Sequence, residues 1–471
     1  MKRRLSTTIA IALASCIAAV TVTSAWGQSA EKDKGDDGNG MVSILDVAPA
    51  VLWNMERMPK YYGDPNMDRA TVDGPILGRQ YLLGSLGGWR DRAAENGLIL
   101  NAYLTQAVQG TVSGDGDGGR YFGSADLYVA VDTGRARLWS GGLIVAHLEG
   151  NWGEVVENTG ALLPLNGDTI MPAEPSSFAL SELFIVQALP KGFSLIAGKI
   201  NFGDNADKSP FANSERNDFI YEGLINNAVY GAFLPYTSLG AALSYQINPD
   251  LDVWVAALSN NTNATTVGFS DLSWDTMTYA TGADWTPTFG GLPGNYSVLL
   301  GYTTKDPLAF DIDERYLIGE IVGVVPSIKK NGNYGLSVTA TQYLWVDRSA
   351  KRSDGQTVGF GPFFRFGITP RDRNLLDQFY SFGVGGLGGP LGRHDDNWGI
   401  GWAGSHISSD FRSDVSLLGF DVDSFENALE AFYNVALTPA VRTSFHVQYI
   451  DSANPASDNA VVLATRLQLD F

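Results

Sequence analysis

The chain has 471 residues, a net charge of −19, one cysteine and a mean hydropathy of −0.04. So acidic a chain disfavours nucleic acid as a partner, and a single cysteine excludes an internal disulfide. Beyond the N-terminus no continuously apolar run reaches the roughly 20 residues of a spanning helix, which argues against a helical membrane protein but not against membrane-spanning strands, whose alternating faces average to a soluble-looking hydropathy.

Lys2, Arg3 and Arg4, an apolar run over residues 9–22 and small residues at Ala25, Gly27 and Ala30 form an export signal. They predict a signal peptide over residues 1–27, cut between 25 and 30. Leu13-Ala14-Ser15-Cys16 has the form of a lipoprotein processing site, but the apolar stretch continues past it, so the mature chain is expected to lack cysteine. Residues 28–80 read as a polar leader; Glu31 to Gly38 is too charged and too rich in glycine to bury, and is expected to be flexible. Between Gly87 and Gly97 a short helix is predicted, with Trp89 and Ala93 on one face and Gly97 as its stop.

From Gly97 the period becomes two. Leu98, Leu100, Ala102 and Leu104 alternate with Asn101, Tyr103 and Thr105. Ala125, Leu127, Val129 and Val131 alternate with Ser124, Asp126, Tyr128 and Asp132, and Ile144, Ala146 and Leu148 with His147, Glu149 and Asn151. Toward the end Thr443, Phe445, Val447 and Tyr449 alternate with Arg442, Ser444, His446 and Gln448. In the final strand Val461, Leu463, Leu467, Leu469 and Phe471 alternate with Arg466, Gln468 and Asp470. Charges on the second face have no place in a dry sandwich core, whereas a wet lumen tolerates them. Turns at Pro190, Pro249, Pro287, Pro370 and Pro439 are expected at one end of the barrel, shared with the C-terminus, and residues 155–177 and 260–275 are expected to face outward at the other. The fold class is therefore all-β: a transmembrane antiparallel β-barrel over residues 81–471, with a short N-terminal helix and a flexible leader. Its length allows fourteen to eighteen or so strands, the count being least determined over residues 408–426.

The chain resembles the carbohydrate-selective outer-membrane porins (OprB-like). The likeness is carried by Gly87-Gly88-Trp89-Arg90 through Gly97, by Leu180-Ser181-Glu182-Leu183-Phe184 with Gly198-Lys199-Ile200-Asn201, by Arg371-Asp372-Arg373-Asn374 with Gly392-Arg393-His394-Asp395-Asp396-Asn397-Trp398, and by Gln448-Tyr449-Ile450 with the terminal Phe471. It departs at His394, where proline is expected, and at Ser85-Leu86, where an acidic residue and an aromatic are usual. The resemblance implies about 16 strands around a narrowed lumen. It also implies passive uptake of small sugars, mainly monosaccharides, residence among outer-membrane lipid and lipopolysaccharide, and Phe471 as the signal read by the barrel-assembly machinery. No stripe forces self-association, which leaves both a homotrimer and a monomer open. No cofactor is implied.

A sugar-selective constriction needs donors, carboxylate acceptors and weak binding. The candidates are Arg393 with Asp395 and Asp396, Glu182, Lys199, Arg365 within its phenylalanine run, Arg442, His446 and Arg466 on the polar face of the last strands, and Trp89 with Arg90 at the mouth. For each, the plainer role is a wall ion pair that props the barrel open. Trp139, Trp254, Trp285, Trp345, Trp402 and Tyr449 read as interfacial girdle residues. Gly383 to Gly388 matches a dinucleotide fingerprint but runs into Gly389-Pro390 rather than a helix. The histidines show no metal spacing. Three other functions compete: a general or ion-permeable porin without sugar selectivity, a lipase-like barrel enzyme using Ser444 and His446, and a barrel plugged by its leader.

Overall fold

The computed structural model describes residues 41–44, 73–170, 178–203, 206–260, 274–312, 325–390 and 392–471. Among them, 16 long strands form the wall: β1 (Leu98–Ser113), β2 (Gly119–Asp132), β3 (Gly142–Gly153), β4 (Phe178–Ala188), β5 (Phe193–Asn201), β6 (Thr237–Asn248), β7 (Leu251–Ser259), β8 (Met277–Trp285), β9 (Leu292–Thr303), β10 (Asn333–Gln342), β11 (Gly359–Ile368), β12 (Leu376–Leu387), β13 (Asn397–Ile407), β14 (Phe425–Thr438), β15 (Val441–Asp451) and β16 (Ala460–Asp470). Two-residue pieces at Thr288–Phe289 and Trp345–Val346 extend the same sheet.

Each strand pairs antiparallel with its sequence neighbours, and β16 returns to β1 in register from Tyr103 opposite Asp470 to Ser113 opposite Val461. Closure leaves no edge to pair with another chain. Phe445, Val447, Leu463 and Leu467 face outward and exposed, whereas Ser444, His446, Arg466 and Gln468 are buried on the lumen face, as the period of two requires. The expected signal peptide and most of the expected leader lie outside the described residues. Of the leader, Ile44 packs with Tyr81 and Ala94 against the inner faces of β1 to β5.

The predicted helix is α1 (Trp89–Glu95), followed by Gly97 in the left-handed region at φ 84. Arg90 is buried and donates to the carbonyls of Leu100 (3.0 Å) and Phe471 (2.6 Å), so α1 clasps the seam where the last strand meets the first. Residues 408–426 contain a helix, α2 (Ser409–Leu417), capped by the Ser408 hydroxyl, rather than a strand. Three expectations need correction. The turn at Pro370 joins β11 to β12, and strand alternation puts it at the end opposite Pro190, Pro249, Pro287 and Pro439. Trp254 faces the lumen, where its Nε1 donates to Asp284 and its ring meets Phe202; Asp284 and Phe202 give its polar edge and its face partners the lipid lacks. Residues 154–170 turn into the lumen instead of outward: the Leu165 carbonyl accepts from the lumen-facing amides of Gln109 and Gln448. Residues 261–273 lie outside the described set.

The main filling of the lumen comes from the connection between β5 and β6, described over residues 202–203 and 206–236. This segment is dense in aromatic and branched side chains that follow no strand period, so burial inside the barrel is where they escape water. Phe211, Phe219, Tyr221, Leu224, Ile225, Val229 and Phe233 form one cluster with Phe363, Phe379, Ala403 and Phe432 of the wall. Glycines on β9 to β13 make room for them. The Phe233 ring lies where side chains at Gly301 and Gly335 would be, and Val229 and Phe211 do the same at Gly367 and Gly385.

Candidate functional site

The wall residues that hold the inward segment are the charged candidates of the sequence. Arg365 is fully buried. It pairs with Asp207 and donates to the carbonyls of Ala212, Leu224 (3.0 Å) and Ile225 (3.4 Å). Arg466 donates to the carbonyls of Glu215 and Asp218 (2.9 Å). Glu430 of β14 accepts the backbone N–H groups of Ile220 (3.0 Å) and Tyr221 (2.8 Å). Asn333, Thr278 and Asn434 donate to the carbonyls of Ala232, Phe233 and Asn217. A segment whose regular structure is limited to two short helical turns, Glu222–Ile225 and Tyr230–Phe233, thereby finds partners for its remaining peptide groups in a ring of wall side chains.

Glu430 also contacts His446 Nδ1 at 2.7 Å, whose Nε2 meets Ser444 Oγ at 2.7 Å. This row has the order of a nucleophile triad. All three residues are about 1% exposed, and Arg466 Nε donates to the Ser444 oxygen at 3.1 Å, so that oxygen is enclosed and already engaged. The row braces the carboxylate that holds Ile220 and Tyr221.

The Arg393 group lies elsewhere. It belongs to the turn between β12 and β13, at the end that carries the C-terminus. There Arg393 pairs with Asp396 at 2.6 Å rather than with Asp395 and donates to the Ala436 carbonyl at 2.9 Å. Asp395 accepts from the Ser353 N–H (2.7 Å) and hydroxyl (2.8 Å), and its carbonyl accepts from Arg442. Nearby, Arg352 ties the β10–β11 connection to the carbonyls of His394 and Asp396. Burial opposes ionisation of Asp354, and the Arg352 guanidinium overrides it, holding that carboxyl at about 2. Trp89 is exposed on α1, and Arg90 is engaged at the seam.

None of the residues in the large lumen cluster comes from β1 to β5. Over that arc the inner wall is apolar only in the small cluster around Ile44, Tyr81 and Ala94, and polar beyond it. His147 stacks on Tyr128 (centroids 3.8 Å apart) and lies between Asp126 (3.1 Å) and Glu182 (3.3 Å), with Glu149 at 3.9 Å. Lys199 Nζ donates to the Leu180 carbonyl at 2.7 Å and feels the charges of Glu149 and Glu182. From the inward segment Arg216 reaches across, its guanidinium 3.8 Å from the Tyr103 ring centroid, 3.7 Å from Asp126 and 3.5 Å from Asp470. Asp168, on the inward turn of residues 154–170, accepts from Ser124 at 2.6 Å. Burial and then the charge of Asp126 raise its carboxyl to about 7, while burial raises Asp218 to about 6.

Glu182 and Lys199 were thus singled out by sequence and belong to this arc, whereas Arg365, Arg442, His446, Arg466 and the Arg393 group do not. Arg216 and Tyr103 escaped notice as site residues. The available signal was Glu215-Arg216-Asn217-Asp218, a charged run inside an otherwise apolar connection.

A closed 16-stranded wall, a connection folded into the lumen and one polar arc beside it describe a restricted channel. The profile of the OprB family, described as carbohydrate-selective porin, matches residues 88–471. The chain belongs to this family. It is an outer-membrane β-barrel porin. The high-pH structure of Pseudomonas putida OprB is similar at a TM-score of 0.72 and 20% identity, covering 83% of this chain and 98% of that one. The low-pH structure of the same protein gives 0.52 and 18%, with coverage of 83% and 98%. At these identities the likeness is one of fold. No curated protein sequence matches the chain.

Proposed function

We propose that small sugars, chiefly monosaccharides, diffuse through this barrel along the arc of β1 to β5, with Arg216, Tyr103, Asp126 and Glu149 as their first polar contacts. The observation that carries this reading is the one-sided filling: residues 202–236 are bonded to the other wall, and the arc they leave offers donors and carboxylates together. A sugar hydroxyl uses both. No gradient coupling is needed, and binding stays weak enough for release. The end carrying Phe471 lies in the periplasm, Phe471 is read by the assembly machinery, lipopolysaccharide surrounds the opposite rim, and a signal peptide cut between residues 25 and 30 directs export. Purified protein in planar bilayers should conduct, and glucose should depress that current; conductance untouched by glucose leaves a general pore. The Ser444–His446–Glu430 row motivates the enzymatic alternative. Its enclosure argues for a brace, and fatty acid released from phospholipid by the purified protein would reverse that judgement.

A further inference from the structure

Beyond the polar arc, the lumen face of β7 carries Asp252, the second residue of that strand, just past the Pro249 turn and so near the end of the barrel that holds the C-terminus. It lies directly opposite Asp284 of β8 on one side and Gln246 of β6 on the other. Asp284 is well supplied with donors, Lys208 Nζ at 3.0 Å and Trp254 Nε1 at 3.2 Å. Asp252, half-buried, has a different environment. Its Oδ1 is enclosed without a hydrogen-bond partner, and no described side chain forms an ion pair with it. The charges that act on it are those of Lys208, which is paired with Asp284, and of Asp284, which repels it. Like charges directly opposite each other in a sheet destabilise it. A carboxylate kept in that position, bonding nothing in its own chain, is an acceptor for something that arrives from the lumen.

The surroundings of Asp252 narrow the class of arrival. The Lys208 side chain is 35% exposed, so its ammonium turns protons toward lumen water besides the one given to Asp284. Its backbone is held by Asn295, whose Nδ2 donates to the Lys208 carbonyl at 3.0 Å. The half-buried indole of Trp254, two residues along β7 on the same face, lies over Gly282, where any side chain would displace it. Acceptor, donor and apolar surface thus meet in one corner. A sugar ring presents the complement of each: hydroxyls that give to a carboxylate, hydroxyls that accept from an ammonium, and CH groups that lie on an aromatic. A bare cation uses the carboxylate but is repelled by Lys208, and a simple anion uses Lys208 but is repelled by two carboxylates.

We propose that Asp252, Lys208 and Trp254 form a second sugar subsite, at the mouth that carries the C-terminus, with Asp252 as its decisive acceptor. The proposal rests on the sugar-porin reading above and adds to it a place outside the arc of β1 to β5. One hydroxyl of the solute donates to Asp252, a neighbouring hydroxyl accepts from Lys208, and the apolar side of the ring lies against Trp254.

Single-channel recording of the full-length protein in potassium chloride at neutral pH tests it, with glucose as the blocking solute. Asp252→Asn should raise the half-blocking glucose concentration about tenfold, the effect of losing a hydrogen bond to a charged group. Its melting temperature in detergent should hold or rise, because no bond within the chain is lost and the repulsion by Asp284 is relieved. A carboxylate with only a structural role would give the reverse, a lower melting temperature and unaltered block. Asp252→Glu, which keeps the charge, should retain more of the block than Asp252→Asn. Wild-type block by glucose that persists undiminished in Asp252→Asn overturns the subsite and leaves the sugar pore standing. A changed reversal potential with unchanged glucose block makes Asp252 a site for potassium and overturns the subsite equally. Absence of glucose block in the wild type overturns both readings. Asp252→Ser, smaller and equally uncharged, carries the same expectation where the asparagine variant does not fold.

Discussion

The two halves of the lumen solve opposite problems with the same kind of strand. On β9 to β14 the inner wall is notched by glycine and lined with phenylalanine, and its charged side chains are spent on the peptide groups of the inward segment and on its buried carboxylate Asp207. On β1 to β5 the inner wall keeps its charges in a mutually paired array with oxygens to spare. A buried arginine therefore says little about selectivity until its acceptors are known. Arg365, whose acceptors are backbone carbonyls and a buried aspartate, is an anchor. Arg216, stacked on a tyrosine between two carboxylates, faces the arc that we propose as the channel.

The strongest way to break this contrast is to remove the anchor. Arg365→Leu leaves Asp207 buried without its partner and frees three carbonyls; losing one member of such a pair costs about 3–5 kcal/mol. The variant should melt earlier in detergent and conduct more, with frequent switching between levels as the inward segment detaches. Adding Asp207→Leu should restore part of the stability by removing the stranded charge. Unchanged conductance in Arg365→Leu would show that residues 202–236 are held without it and do not narrow the pore.

The barrel itself was legible because its signal is local. Alternation in residues 460–471 places Arg466 and Gln468 inward and Leu463 and Leu467 outward without knowledge of any partner. The role of a lumen side chain was not legible, because it depends on what a distant connection brings to it. Arg365 was conspicuous as a cation among phenylalanines, yet nothing near it in sequence names Asp207 or Leu224. The Arg393-Asp395-Asp396 run suggested a constriction by density of charge alone, and the structure distributes those charges among Ala436, Ser353 and Arg393's own turn. The inward segment did leave a trace: residues 202–236 are too apolar for a water-facing loop and lack the period of a strand.

An intermediate effect separates the two walls by pH. Asp168 and Asp218 hold their protons up to about 7 and about 6, against an ordinary value of 3.8. The folded state thus binds more protons than the unfolded chain between 3.8 and about 7, so seating of the inward turns firms as pH falls through this window and loosens as it rises. Around Asp168 stand Asp126, Glu215 and Arg216, so its protonation also removes negative charge from the polar arc. Reversal potentials in a potassium chloride gradient should move toward lower cation preference between pH 8 and pH 5, and the melting temperature should not fall. A constant reversal potential would place Asp168 outside the conducting path.

The smallest effect belongs to Arg393. Its guanidinium is largely exposed, and Asp396 keeps two further partners once it is gone, the Tyr433 hydroxyl at 2.7 Å and the Ala436 N–H at 2.9 Å. With the guanidinium partly in water and the buried Asp396 still holding two partners, the pair contributes about 1 kcal/mol. Arg393→Ala should therefore lower the melting temperature slightly and leave conductance and glucose block unaltered, because the turn between β12 and β13 touches neither the inward segment's anchors nor the polar arc. A large change in glucose block would move the constriction to the C-terminal end of the barrel, and the division of the lumen into an anchored wall and a conducting wall would have to be redrawn around that turn.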